Sequence, residues 1–250
     1  MSLLRSARFA LLAALATSLS AAAHATPINV VNGDFEQTLT NNSSQFGKDF
    51  SSQQVTGWTS QGYNFVYLPG TADTTGAAGQ YGTTKLWGPG DGANNGLSSS
   101  LAGGNFIAMD GAYEQGPISQ QLSGLAVGGG TTVSFWFAGA QQYSYTGTTT
   151  EQFGVTLGNQ TLYTPVLTDL SHGFTGWQYE SLTFNNPTSS SELLSFFAIG
   201  TPGGEPPFSL LDGVTVDSSP VPEPSSLALI LTGAASLGGY ARRRMVSSKS

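Results

Sequence analysis

The chain has 250 residues, of which 39% are hydrophobic and only 9% charged, with a formal net charge of −7 and no cysteine. The missing cysteine excludes disulfides and thiolate chemistry. Between residues 26 and 217 only Lys48 and Lys85 stand against fourteen acids, a balance near −12 that repels nucleic-acid phosphate and anionic lipid and leaves cations and neutral glycans as compatible partners.

At the start, Arg5 and Arg8 precede an apolar run from Phe9 to Leu19, and small residues lead to Ala23-His24-Ala25. This is the three-part layout of a secretory signal peptide with its cleavage site. It predicts that residues 1–25 are removed and that the mature chain begins at Thr26. Residues 26–217 are long enough for one good-sized core. An exported domain without disulfides has to rely on that core or on a bound metal ion.

No amphipathic helix is visible in this stretch, and short runs of period two are separated by turn residues. Strands are expected at Ile28 to Val31, Tyr63 to Leu68, Lys85 to Trp87, Phe106 to Met109 and Ile118 to Leu122. Two Gly-rich stretches among them, Gly70 to Gly82 and Gly88 to Gly104, read as long loops. Thr132 to Ala138 alternates clearly, with Val133, Phe135 and Phe137 on one face and Ser134 and Trp136 on the other; Trp136 reads as core. In Glu151 to Leu157, Phe153, Val155 and Leu157 share a face, and Gly158-Asn159 is a hairpin turn signal. Gln178 to Phe184, Leu193 to Ile199 and Leu211 to Val216 complete the series. Many short strands with regular turns predict an all-β, two-sheet antiparallel sandwich.

Four segments carry a family resemblance: Asn32-Gly33-Asp34-Phe35-Glu36, Gly57-Trp58-Thr59, the run Gly124 to Phe137, and Leu210-Leu211-Asp212-Gly213-Val214. In this order they resemble a carbohydrate-binding-module-like, or galactose-binding-like, jelly roll. The resemblance implies a structural Ca²⁺ held by Glu36 and Asp212, with backbone oxygens near Asn32 and Asp34. Sugars are bound by flat rings and polar side chains, which makes Trp87, Tyr143, Tyr145 and Tyr113 the carbohydrate candidates.

An enzyme needs a catalytic set. The stretch 26–217 holds a single histidine, His172, in Ser171-His172-Gly173, which reads as a turn. No G-x-S-x-G elbow is present. Asp110 and Glu114 flank a Gly111 turn, and they are the pair on which a glycan hydrolase would rest.

The end of the chain has its own pattern. Residues 218–226 form a linker containing Val221-Pro222-Glu223-Pro224. An apolar run at 227–241 approaches the shortest length that spans a bilayer. Arg242, Arg243 and Arg244 open the basic tail at 242–250, which the positive-inside rule places in the cytoplasm. The trio of Pro222-Glu223-Pro224, apolar run and arginines resembles the PEP-CTERM sorting signal. That resemblance implies anchoring in the inner membrane, then recognition and cleavage by an exosortase-type enzyme, then release or transfer to the cell surface, with a role in exopolysaccharide and biofilm matrix. The expectation is a non-catalytic surface protein that binds or organises polysaccharide. The alternatives are a purely structural matrix protein and a glycan-active hydrolase.

Overall fold

The computed structural model describes residues 24–48, 50, 54–185 and 187–220. The signal peptide, Pro222 to Pro224, the apolar run and the arginines lie outside the described residues.

Fifteen strands and one short helical turn are present among the described residues. They are β1 (Thr26–Ile28), β2 (Ser44–Gln45), β3 (Thr59–Ser60), β4 (Asn64–Tyr67), β5 (Ala77–Gly79), β6 (Gly82–Thr84), β7 (Phe106–Asp110), β8 (Ile118–Gln121), β9 (Gly130–Gln141), β10 (Thr149–Leu157), β11 (Gln160–Tyr163), β12 (Leu167–Asp169), β13 (Gln178–Asn185), β14 (Leu193–Thr201) and β15 (Pro207–Ser219). One sheet runs β13-β9-β15-β7-β4-β2-β5-β6, with β1 also on β15; the other runs β11-β10-β14-β8-β3, with β12 on β10. From β7 onward the chain crosses repeatedly between the sheets, with β10, β11 and β12 together in the smaller one, which is the jelly-roll path. The pairings are antiparallel apart from the single parallel bridge of Ser44 with Ala78.

Period-two alternation decides which side chains meet between the sheets. Phe135 and Phe137 of β9 enter the central core with Phe153 and Val155 of β10 and Phe196 of β14. Their rings meet edge to face, Phe135 on Phe153 at 6.4 Å and on Phe196 at 5.1 Å, an arrangement that adds to plain burial. The larger sheet is apolar on its outer face too. Phe65, Tyr67, Phe106, Ala108, Ala138, Ala140, Phe208 and Leu210 form a second core with Tyr63 and Leu86. The connections between β4 and β7 cover it, so that long stretch is a packed layer.

Several expectations need correction, among them the strand at Ile28 to Val31, which instead spans Thr26–Ile28. Gly70 to Gly82 is not all loop, because it contains β5 and opens β6. Lys85 to Trp87 forms no strand; only Leu86 bridges, to Gln142. Trp136 points outward, half-buried against Tyr179 at 5.1 Å, on the face opposite the core. The strand ending the domain also runs further than expected, through Ser218 and Ser219.

β15 organises the sheet. β9 pairs with it along nearly its whole length, while its other side is shared by β7 at Phe208 to Leu211 and β1 at Val216 to Ser218. Between these partners the register of β15 shifts across Asp212 to Thr215. Gly213 has φ +62°, as such a bulge requires. The opening turn fills the gap, with Val214 N–H donating to the Gly33 carbonyl at 2.8 Å.

Candidate functional site

The tip of the β5–β6 hairpin is Gln80-Tyr81, between Gly79 and Gly82. Gly82, the first residue after the turn, has φ +105°, a conformation that glycine allows. The hairpin holds Tyr81 over a cavity of about 340 Å³ lined by Tyr63, Tyr81, Thr83, Thr84, Asp110, Tyr113, Gln142 and Tyr145. Tyr81, Tyr113 and Tyr145 are 60%, 68% and 38% exposed, so their rings are open to a ligand. Tyr81 stands 5.6 Å from Tyr63 and 6.0 Å from Tyr113, centroid to centroid. Tyr63 is buried at the base, and its hydroxyl shares a hydrogen bond of 2.7 Å with Thr84 Oγ1.

The wall is rigid because its acids are already engaged. Asp110 Oδ1 accepts the backbone N–H groups of Ala112 and Tyr113 at 2.9 and 3.0 Å, and Oδ2 accepts that of Glu114 at 3.2 Å. Asp110 therefore caps the turn that presents Tyr113. Glu114 is ion-paired with Lys48 and accepts hydrogen bonds from Tyr81 Oη at 2.7 Å and Gln80 Nε2 at 2.5 Å. Burial pushes the Glu114 carboxyl up, but the Lys48 ammonium and the Tyr81 hydroxyl outweigh it and hold the group below its ordinary value. The same bond to Glu114 raises the Tyr81 phenol above its usual range. These contacts hold both carboxylates in the turn at 110–114 that presents Tyr113.

The four aromatic candidates split into two groups. Tyr113 and Tyr145 share the cavity. Trp87 and Tyr143 form a neighbouring stack, 4.6 Å apart, with His172 on Trp87 at 4.0 Å and the Lys85 ammonium 4.2 Å from the Tyr143 ring. The groups touch through Trp87 Nε1–H, which donates to the Tyr145 carbonyl at 2.8 Å. Trp87 thus backs the cavity wall. A larger hollow of about 790 Å³ opens beside Phe46, Lys48 and Trp58, but Phe46 and Trp58 are buried and offer no open ring face.

The acids read as calcium ligands meet at the β15 bulge. Asp212 is fully buried. It accepts hydrogen bonds from Ser100 Oγ and, at 2.6 Å, from the Gly213 N–H. Burial pushes its carboxyl up to about 7; the two hydrogen bonds oppose this, and the charges of Glu36 and Asp34 add to it. Glu36 Oε1 accepts the Asn105 N–H at 2.5 Å and sits against Gly104, where a Cβ would collide with it. Glu36 and Asp34 are exposed. Asn32 is occupied differently. Its amide donates to the Gln37 and Thr56 carbonyls at 3.1 Å each, its Oδ1 accepts the Gln37 N–H, and its carbonyl accepts Trp58 Nε1–H at 3.0 Å. It pins the opening turn, and Trp58 is buried against Phe35 and Phe196 as part of the same lock. Among the described residues no three acids or histidines are gathered as a metal centre. The charges of Glu36 and Asp34 reach Asp212, and the side-chain donors at this place are oxygens, the donor type that Ca²⁺ takes.

Residues 220–244 match the PEP-CTERM protein-sorting motif. The chain carries this sorting motif. It begins at Pro220, one residue beyond β15. The sandwich is similar over most of its length to TmCBM61 solved in complex with β-1,4-galactotriose, at 12% identity and TM-score 0.38, covering 76% of this chain and 98% of that one. It is similar to a Stig cyclase, Fisc, from Fischerella sp. TAU, at 14% identity and TM-score 0.47, covering 79% and 100%. A CBM4 module is similar at 16% identity and TM-score 0.31, covering 76% and 99%. No curated protein matches the chain.

One cavity residue, Tyr81, was not singled out in the sequence because it lay inside a supposed loop; Tyr63, one of several further candidate tyrosines, lines the base of the cavity.

Proposed function

We propose that the PEP-CTERM motif delivers an exported glycan-binding domain to the cell surface, and that its ligand is extracellular polysaccharide bound in the tyrosine-lined cavity. The observation that carries this is the convergence of three open tyrosine rings with hydroxyl, amide and carboxylate groups around 340 Å³ on a rigid sheet. Sugar rings present apolar C–H faces and a rim of hydroxyls, so flat rings beside fixed polar groups suit them. The motif accounts for location: membrane anchoring first, cleavage by an exosortase-type enzyme second, surface or extracellular residence last. No catalytic step belongs to this reading.

The test is affinity electrophoresis and a glycan array with the mature protein. Binding is expected, and Tyr81→Ala or Tyr113→Ala should weaken it about tenfold each, the usual loss for a central aromatic anchor. Wild-type protein that binds no glycan, including the host's own polysaccharide, would leave a purely structural role in its place.

Calcium belongs to the same reading. Ca²⁺ at Glu36 and Asp212, with carbonyls of the opening turn and Asp34 beside them, would join the first turn to the last strand and neutralise a buried carboxylate. A ligand present at a hundredfold excess over its Kd and bound only by the folded state stabilises it by about 2.7 kcal/mol. Chelation should then lower the unfolding midpoint by several degrees. Asp212→Asn should abolish the part of that shift due to this site. An Asp212→Asn protein that responds to chelator like the wild type would refute calcium here.

A further inference from the structure

A second group of buried acids lies on the other sheet, where β12 pairs with β10. Thr149 faces Asp169 across the ladder, and Glu151 is two residues further along the same strand, opposite Leu167. Because side chains alternate, Thr149, Glu151 and Asp169 share the inner face. They are 0%, 1% and 2% exposed. Both Glu151 carboxylate oxygens, Asp169 Oδ2 and the Thr149 hydroxyl have no hydrogen-bond partner of normal geometry. A buried carboxyl with neither oxygen partnered, a second with one oxygen unpartnered and a buried free hydroxyl on one face are costly unless something absent from the protein atoms satisfies them.

The chain supplies no positive charge to do so. Lys48 and Lys85 are the only lysine or arginine residues among the described residues, and they are paired with Glu114 and Asp91. Burial raises the Glu151 carboxyl to about 8; the nearby Thr149 hydroxyl opposes the rise and the Asp169 charge adds to it. Burial likewise raises Asp169 to about 7, opposed by the Leu170 backbone.

Two glycines keep the space around these oxygens clear. A Cβ on Gly139 of β9 would lie 2.5 Å from Glu151 Oε2. A Cβ on Gly173 would collide with Asp169 Oδ1 and lie 2.5 Å from the Leu170 carbonyl oxygen. That carbonyl therefore stands beside the Asp169 carboxylate. We propose that Glu151, Asp169 and Thr149, with the Leu170 carbonyl, bind one Ca²⁺ ion between β10 and β12.

The donor chemistry selects the ion. The donors are two carboxylates, a hydroxyl and a carbonyl, all hard oxygens. Ca²⁺ takes six to eight of these at roughly 2.3–2.6 Å and accepts bidentate carboxylates, so four groups reach six oxygens. Mg²⁺ keeps several waters, which a site buried from solvent does not offer. His172 lies on the same turn with an unpartnered Nε2, but its ring is stacked on Trp87, and nitrogen is a poor donor for Ca²⁺. The ion would fasten the turn after β12, whose His172 and Gly173 carbonyls hold Asn95 at 3.0 and 3.1 Å behind Trp87.

The experiment measures bound calcium in the full mature protein after equilibrium dialysis against buffered Ca²⁺, by elemental analysis. Wild type should hold one more equivalent than Glu151→Gln, and Asp169→Asn should match that loss. Both amides remove charge without removing volume, so the fold has a second route to being retained. Asp212→Asn should keep the Glu151-dependent equivalent. One equivalent in wild type that disappears in Glu151→Gln but survives in Asp212→Asn supports this site even if the bulge binds nothing. Identical calcium content in wild type, Glu151→Gln and Asp169→Asn overturns it, and the two carboxyls then simply retain their protons.

Discussion

Cells producing the chain with Pro222, Glu223 and Pro224 all changed to alanine should accumulate protein that still carries its apolar run and arginines, while wild type loses its tail completely. The effect is all-or-none because a processing enzyme either recognises its site or does not. The motif match at 220–244 motivates it, and the end of β15 at Ser219 makes it structurally harmless. A cut after this point removes no strand that the described residues form. Intact mass of the surface-exposed or released protein reads the outcome. Wild-type mature protein still ending at Ser250 would refute processing at this motif.

The second large effect is expected from a single methyl group. Gly62 and Gly116 pack backbone against backbone. A Cβ on Gly116 would collide with the Gly62 nitrogen and lie 2.6 Å from both Gln61 C and Gly62 Cα. A Cβ on Gly62 would lie 2.8 Å from Gly116 Cα and O. Backbone bonds on either side lock this approach, Gln61 N–H to the Pro117 carbonyl at 3.0 Å and Tyr63 N–H to the Glu114 carbonyl at 2.8 Å. Backbone cannot yield as a flexible side chain does. Gly116→Ala should therefore cost about 1–3 kcal/mol through overpacking, which lowers the unfolding midpoint by several degrees in a domain of this size. It should also push the 111–115 turn outward, carrying Tyr113 away from Tyr81, so glycan affinity should fall as far as it does in Tyr113→Ala. Gly130, with no atom within 4 Å of an added Cβ, is the control: Gly130→Ala should change stability by less than about 0.5 kcal/mol. Unchanged melting and binding in Gly116→Ala would mean that this contact does not set the cavity wall.

The sequence was most informative where one periodicity ran long enough to fix a face. β9, β10 and β13 follow the alternation read from Thr132 to Ala138, Glu151 to Leu157 and Gln178 to Phe184, and the Gly158-Asn159 turn joins β10 to β11. It was silent where strands are two or three residues long. β2, β3, β5 and β6 are defined by their neighbours, and Ala77 to Thr84 holds no alternating apolar residues to announce a hairpin. Trp136 shows a different difficulty. The parity that put it opposite Phe135 and Phe137 was right, and the assignment to the core was wrong, because a tryptophan can lie on an outer face beside Tyr179. Glu151 shows the converse. Its parity with Phe153, Val155 and Leu157 already marked it as an acid turned inward, and only Asp169, eighteen residues later, makes that position chemically meaningful. The cavity tyrosines come from four separate segments, and no local pattern relates residues 63, 81, 113 and 145.

The length of β15 has a consequence for orientation. The chain leaves the sandwich at Ser219, where Thr26 of β1 lies alongside Ser218. The cavity borders Gly204 and Pro206, immediately before the other end of that strand at Pro207. Thirteen residues of strand separate the two by about 40 Å. Ser219 thus lies at one pole of the sandwich and the aromatic mouth opens at the other. Any attachment made through the residues after Ser219 would therefore start from the end of β15 farther from the cavity.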